Sequence, residues 1–532
     1  MKRSFRILLS ILSGVLLSLA WLKFPGWILF VSFLPLLLLD DYFIKEKKQY
    51  TSVSFWGHAY LAFIVWNLLT TWWVMHATLL GAIIAVFVNS LLMSLVWWLA
   101  HRVRSILHSR LGNLALVVFW LSFEYFHFHW QIEWPWLHLG NGFANNIKMI
   151  QWYEFTGVLG GSLWVLVINI FLFNILKALA GQRSIKSSLA SIAILMLLIF
   201  IPIIGSNIIY HTYKETGEIK NISIVQPNID PYSESYDMQA SNEKVSKFIR
   251  LANTVVDKNT DFLVGPETIF EQQWDEAKLF YYPQFRMLET ITQNYPDLSL
   301  VVGASTHKIY KEGEKLSSTV RTSRDGMVYD AYNAAIMIAS SQETQIYHKS
   351  ILVPGVEKMP FRGFLKIMEK FIINIGGTTG SLGKQDEPSN FSANDGTLVA
   401  PIICYESVFG EYLSKFIQKG AGLIFVITND GWWKNTPGYK QHLSFSRLRA
   451  IETRRSIARS ANTGISCFIN QRGDISQETE WWKEAAINGT LRTNNHLTFY
   501  VKYGDYLARI SLFISILMLL YVISIWLKGR KS

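Results

Sequence analysis

T-L-V-A-P-I-I-C-Y-E-S (residues 397–407) is a near-continuous apolar run that stops at a thiol. A strand of this kind needs cover on both faces, which implies a sheet layered between helices or other sheets, hence an α/β domain. Its last residue, Cys404, is one of only two cysteines in 532 residues, and the polar Tyr405, Glu406 and Ser407 follow at once. A strand ending this way presents a thiol at the rim of a sheet. Two other segments share the construction: D-F-L-V-G-P-E (261–267) ends on Glu267, and I-Y-H-K-S-I-L-V-P-G (346–355) carries Lys349.

Outward from these segments, short apolar runs separated by turn residues fill 218–505. Strands are read at 221–226, 261–265, 298–304, 334–339, 398–404, 422–428, 464–470 and 498–502, with helices at 239–257 and 438–459 between some of them. No internal repeat, low-complexity tract or metal-ligand spacing interrupts the pattern, and the histidines are scattered, so no metal site is expected. Cys404 and Cys467 could form one disulfide, but Cys467, inside G-I-S-C-F-I-N (464–470), reads as a buried small hydrophobe.

The rest of the chain is a different material. Half of all residues are hydrophobic and twenty are tryptophan, which excludes an ordinary soluble protein. Apolar stretches at 7–22, 26–39, 54–74, 79–100, 113–129, 157–178, 189–210 and 506–527 are near the roughly 17–25 residues of a spanning helix, with 26–39 borrowing from its flanks. Eight spans are expected.

Lys2, Arg3 and Arg6, then Lys45, Lys47 and Lys48, then Arg102, Arg104 and Arg110, then Lys177, Arg183 and Lys186, and finally Lys528, Arg530 and Lys531 fall at the N-terminus, in every second loop and in the C-terminal tail. The alternate short loops hold only Lys23 and Lys148. By the positive-inside rule both termini are cytoplasmic and 211–505 lies outside. Much of the net charge of +11 therefore faces anionic lipid and implies no nucleic acid. The basic start, apolar core and S-L-A at 18–20 also resemble a signal peptide, although retention of the segment is expected. The expected domains are 1–210 (spans one to seven), 218–505 (catalytic) and 506–532 (last helix and tail).

Two segments depart from ordinary core. F-R-G-F-L-K-I-M-E-K-F-I-I-N-I (361–375) has apolar residues at helical spacing with basic ones between, which fits either a core-facing helix or an interfacial arm. N-D-G-W-W-K-N (429–435) puts two tryptophans beyond a strand, and at least one ring should pack inside.

A thiol, a carboxylate and an amine are the parts needed for acyl transfer through a thioester. Glu267 could remove the thiol proton, and Lys349 could stabilise the thiolate and then the oxyanion. A lone Glu or Lys in a loop is most often a solvated surface group, but three such groups at successive strand ends outweigh that reading.

The order Glu–Lys–Cys, in these local settings, resembles the nitrilase (carbon–nitrogen hydrolase) superfamily, and the chain as a whole resembles its membrane branch, the bacterial apolipoprotein N-acyltransferases. The matches are E-W-P-W-L (133–137), V-Q-P-N-I (225–229), G-P-E-T (265–268), Y-H-K-S-I-L-V-P (347–354), I-C-Y-E (403–406), T-N-D-G-W-W (428–433), and Q-H-L-S-F-S-R-L-R-A-I-E (441–452) leading to R-S-A-N-T-G (459–464). The resemblance implies a multi-pass helical membrane domain joined to a nitrilase-like αββα sandwich on the periplasmic side of the inner membrane. It implies Glu267 as general base, Lys349 as transition-state stabiliser and Cys404 as the acylated nucleophile. It places Glu357 in support of the lysine and oxyanion, Tyr405 and Glu406 in the site beside the nucleophile, and Tyr236 at an aromatic position that in relatives is often tryptophan.

The implied reaction is ping-pong, from a membrane phospholipid to the α-amine of a diacylated apolipoprotein, without cofactor or metal. This chain reads V-P-G-V-E (353–357) where relatives usually read V-P-F-G-E. A membrane-tethered nitrilase-like amidase or hydrolase is the alternative enzyme. A transporter or lipid-binding scaffold is the non-enzymatic one, which the scarcity of charge within the spans disfavours.

Overall fold

A computed structural model describes residues 1–107, 109–181, 185–232, 238–269, 273–360 and 381–529. Tyr236 and the 361–375 segment lie outside these residues. The chain divides into two compact units, Met1–Met75 with Leu80–Thr212 and Tyr503–Ser532, and His76–Leu79 with Tyr213–Lys502.

In the first unit, among the described residues, seven helical stretches are long and apolar enough to cross a membrane: Arg3–Leu22, Gly26–Lys45, Ser52–His76, Leu79–Ile106, Tyr153–Ala180, Ile185–Thr212 and Tyr506–Ile525. The eighth expected segment, 113–129, forms the helix Ser109–Phe126, whose apolar character is diluted by Arg110, Asn113 and Glu124. Glu124 is buried there and accepts from the Trp120 indole (2.9 Å) and the Leu139 N–H (2.8 Å), so its carboxylate has donors where lipid offers none. The short second stretch does extend beyond 39, to Lys45, and breaks at Phe33. Asn169 bridges the break, accepting from Phe33 N–H at 2.9 Å and donating to the Leu29 carbonyl at 2.7 Å. The first and third stretches cross so closely that a Cβ on Gly14 would stand 2.4 Å from the Ala62 carbonyl oxygen, the close approach that small residues permit in membranes.

The second unit holds two sheets. In chain order the strands are β1 (Ile219–Gln226), β2 (Phe262–Val264), β3 (Trp274–Asp275), β4 (Ser299–Ile309), β5 (Arg321–Thr322), β6 (Val328–Ala339), β7 (Gln345–His348), β8 (Phe391–Ser392), β9 (Leu398–Ile403), β10 (Leu423–Thr428), β11 (Ser456–Ala461), β12 (Cys467–Ile469), β13 (Ile475–Ser476) and β14 (Ala485–Arg492). The first sheet runs β14-β1-β2-β4-β6-β5, with β3 on β4 and β7 on β6, and the second runs β13-β12-β11-β10-β9-β8. The central pairs β1–β2, β2–β4, β9–β10 and β10–β11 are parallel.

Side-chain alternation sorts the layers. Ile222, Ile224, Phe262, Val264, Val301, Ala335 and Met337 share one core with the second sheet, and Phe262 meets Phe425 edge-on at 5.1 Å. The intervening Val225, Leu263, Leu300, Val302, Ile336 and Ile338 pack instead on α1 (Met238–Ala252) and α2 (Pro283–Asn294). The second sheet is covered by α3 (Gly410–Gln418) and α4 (Pro437–Thr453). The result is the expected sandwich of two sheets between helices.

Three local readings change. The helix expected over 438–459 ends at Thr453, where Arg454 turns left-handed (φ 50°) and the chain becomes β11. T-F-Y-V-K (498–502) is not a strand. Thr498 accepts from the Val501 N–H at 3.1 Å and opens a helical turn over Phe499–Tyr503. The last strand is β14, which is mostly half-exposed and pairs with β1 along its whole length.

Candidate active site

The parallel strands of both sheets place their carboxyl ends side by side, the usual position of a site in such sheets. Glu267 follows β2, Lys349 follows β7, and Cys404 follows β9. Glu267, Lys349 and Cys404 are all buried, with exposures of 6%, 1% and 8%. The Lys349 ammonium lies 3.3 Å from Glu267 Oε1 and 2.9 Å from Glu357 Oε1. Asn333, on β6, donates its amide to both carboxylates at 2.8 Å, and its carbonyl accepts the Lys349 N–H at 2.8 Å. Glu267 Oε2 also accepts from Asn429 N–H at 3.1 Å, just beyond β10. The second oxygen of Glu357 takes the Val353 N–H at 2.7 Å.

Cys404 occupies a tight elbow. Its φ is 48°, a left-handed conformation uncommon for a side-chain-bearing residue, and a short 3₁₀ turn over Cys404–Val408 follows. Glu406, two residues on, is fully buried and serves as a staple. Its Oε2 accepts from Ile403 N–H (2.9 Å), while Oε1 accepts from Ser350 N–H (2.7 Å), Ile351 N–H (3.3 Å) and the Tyr347 hydroxyl (2.6 Å). One carboxylate thus ties the Cys404 elbow to the loop that carries Lys349. Tyr405 is buried with its ring edge-on to Phe409 at 5.3 Å.

Charge and burial set the protonation states. Burial disfavours the Lys349 ammonium, but the Glu267 and Glu357 carboxylates outweigh it and hold its pKa above the ordinary lysine range. Burial pushes the Cys404 thiol up and the Glu267 carboxylate adds to that, against the pull of Lys349. The resting state is therefore a neutral thiol beside an ammonium–carboxylate cluster. Burial also raises Glu406 to about 7 despite its donors.

Of the residues singled out from sequence, Glu267, Lys349 and Glu357 come together in direct contact, Cys404 shares their field, and Glu406 joins their loops. Tyr236 lies outside the described residues. Both cysteines are free and buried, so the disulfide does not form. Of the two tryptophans, Trp433 packs against the core and Trp432 is exposed. Sequence reading missed Asn333, although a lone amide inside the apolar run of β6 was a visible break in pattern. It also left Asp430 and His442 without roles inside motifs it had quoted.

The carbon–nitrogen hydrolase family model matches residues 221–494, just over half of the chain, and the apolipoprotein N-acyltransferase N-terminal domain model matches residues 13–171. The chain is similar to an apolipoprotein N-acyltransferase of Chlorobaculum tepidum (28% identical, covering 95% of this chain and 94% of that one). Similar too are proteins of the same name from Geobacter metallireducens (26%; 94% and 92%) and Bdellovibrio bacteriovorus (27%; 93% and 90%).

Proposed function

The chain belongs to the carbon–nitrogen hydrolase family, and from that membership we infer that it is an apolipoprotein N-acyltransferase, working through a thioester on Cys404. The N-terminal domain match and the names of full-length relatives support the reading. The observation that carries the chemistry is Lys349, buried between two carboxylates with the Cys404 thiol in its field.

The donor in this reading is a membrane phospholipid. Glu267 takes the thiol proton as Cys404 Sγ attacks the ester carbonyl. Lys349 stabilises the oxyanion of the tetrahedral intermediate, a large effect where water is excluded. Glu357 and Asn333 keep the ammonium aimed. Collapse passes the proton from Glu267 to the departing alcohol, releasing a lysophospholipid and leaving a thioester. The α-amine of an S-diacylglyceryl cysteine then attacks the thioester, Glu267 receives its proton, and the thiol is regenerated as the amide leaves. The Glu267 and Glu357 carboxylates favour the charged form of Lys349 before the thiol reacts. The loop charges support cytoplasmic termini and a catalytic unit on the periplasmic face of the inner membrane. There two lipidic substrates can reach the thiol without exposing their chains to water, at about 0.8 kcal/mol per methylene.

Intact mass spectrometry after incubation with phospholipid tests the proposal. The expected result is a thiol-labile acyl adduct on the parent protein, absent from Cys404→Ser. A diacylated lipopeptide should discharge the adduct and gain one acyl chain. An adduct lost equally fast without the peptide would mean hydrolysis, and no adduct with any donor would overturn the assignment.

A further inference from the structure

Cys404 holds a left-handed backbone that L side chains rarely adopt, and such strain persists only where the surroundings over-determine it. Glu406 fixes the residue before the elbow. A second set of contacts fixes the elbow's own carbonyl. The Ser407 hydroxyl donates to Cys404 O at 2.7 Å, and His442 Nε2 lies 3.2 Å from the same oxygen and 2.9 Å from Ser407 Oγ. His442, on α4, is fully buried, and its Nδ1 is 2.9 Å from Asp430 Oδ1 and 3.2 Å from an Arg459 nitrogen. Arg459, on β11, donates to Asp430 Oδ2 at 2.7 Å, and Thr428, at the end of β10, donates to Asp430 Oδ1 at 2.9 Å. The Trp433 ring closes the remaining side edge-on at 5.4 Å.

Thr428, Asp430, His442 and Arg459 of the second sheet layer thus form a buried chain of contacts that ends on the Cys404 backbone. Burying an aspartate, an arginine and a histidine together for stability alone is a poor arrangement, since apolar residues of like volume would serve as well or better. The thioester steps above assign none of the three a role.

We propose that His442, oriented by Asp430 and Arg459, is a positioning residue that acts with Ser407 to hold the Cys404 elbow, so that the thiol stays aligned with Glu267 and Lys349. Asp430 Oδ1, 2.9 Å from Nδ1, fixes the orientation of the ring. The Nε2–H donates to the Cys404 carbonyl, which also accepts the Ser407 hydroxyl, so the two donors together seat the turn. The inference rests on the thioester reading for its consequence in catalysis, but the seating of the thiol can be measured without it.

The experiment uses the full-length protein in phospholipid nanodiscs, with His442→Ala, His442→Gln and Asp430→Asn. Iodoacetamide alkylation of Cys404 is followed by peptide mass spectrometry, acyl-adduct formation is measured in parallel, and thermal unfolding reports the folded fraction. A displaced thiol should slow both reactions by roughly 10–100-fold in His442→Ala, as a misplacement of about 1 Å does elsewhere. The loss should fall on the rate constant and leave the phospholipid KM unchanged. His442→Gln, whose amide can reach the Cys404 carbonyl, should recover most of the rate, and Asp430→Asn should fall between them. The proposal is overturned if His442→Ala is alkylated at the parent rate. It is equally overturned if Ala and Gln variants lose rate alike and only in step with their folded fraction. Acyl transfer surviving in Cys404→Ser would sink the thioester reading, while the alkylation comparison would still decide the role of His442.

Discussion

Glu406 is the residue on which the geometry of the site depends most, because one carboxylate accepts from Ile403, Ser350, Ile351 and Tyr347. Glu406→Gln keeps the volume but turns an amide donor toward donors. We expect a loss of about 1–3 kcal/mol for stranding a buried N–H, read by denaturant unfolding, together with slower acylation of Cys404. A smaller stability loss with an unchanged acylation rate would show that the staple is dispensable. Asp430 gives the pH dependence. Burial would raise its pKa, but Arg459 and His442 bring it to about 2 from the ordinary 3.8. A depressed carboxylate contributes stability that is complete above the unfolded pKa and is lost as pH falls through the folded one. The parent should therefore lose up to about 2 kcal/mol more than Asp430→Asn between pH 4 and pH 2, and parallel stability curves for the two would contradict this. At this scale Cys404, Glu267 and Lys349 were legible because each follows an apolar run with a reactive side chain. Asn333 and His442 were not, because their importance lies in which neighbours they meet.

At the level of elements, β4 is shaped to receive the loop that carries Glu267. Gly303 donates to Pro266 O at 3.0 Å, and its carbonyl accepts the Ile269 N–H at 3.3 Å. A Cβ at Gly303 would stand 2.7 Å from both Glu267 Cα and Thr268 N. Those are backbone atoms, so no rotamer change can relieve the clash. Gly303→Ala should cost about 1–3 kcal/mol as overpacking and lower the acylation rate by roughly 10²-fold through displacement of the base; acylation at the parent rate would show that the loop can shift without consequence. The elements that sequence reading misjudged share one cause. The helix read over 438–459 takes in Arg449, Arg454, Arg455 and Arg459, yet the helix stops at Thr453 and all four arginines are buried. Arg455 donates to the carbonyls of Ala421 (2.8 Å), Thr453 (3.0 Å) and His496 (2.8 Å), contacts that exist only once distant segments have met. Likewise β14 carries little apolar signal, because its partner β1 and not its own side chains make it a strand.

For the molecule as a whole, the loop charges predict an orientation that can be tested directly. A periplasm-dependent reporter joined after Ser532 should be inactive and a cytoplasm-dependent one active. A single cysteine at exposed Tyr281, in a background lacking the two native ones, should react with a membrane-impermeant maleimide added to spheroplasts. The opposite pattern in either assay would reverse the topology.

Apolar runs of spanning length, continuous hydrophobic strands and reactive residues at their ends are properties of the linear chain. They determined by themselves a helical membrane portion, an α/β sandwich and the three residues of the candidate site. Tertiary structure decided what depends on groups far apart in sequence. It buried Lys349 between Glu267 and Glu357, which are 82 and 8 residues away, and placed Asn333 between those two acids. It also buried Arg449, Arg454, Arg455 and Arg459. Hydrophobicity is additive along a chain and can be read in order, whereas hydrogen-bond partnership and burial of charge depend on approach in space, which no local pattern encodes.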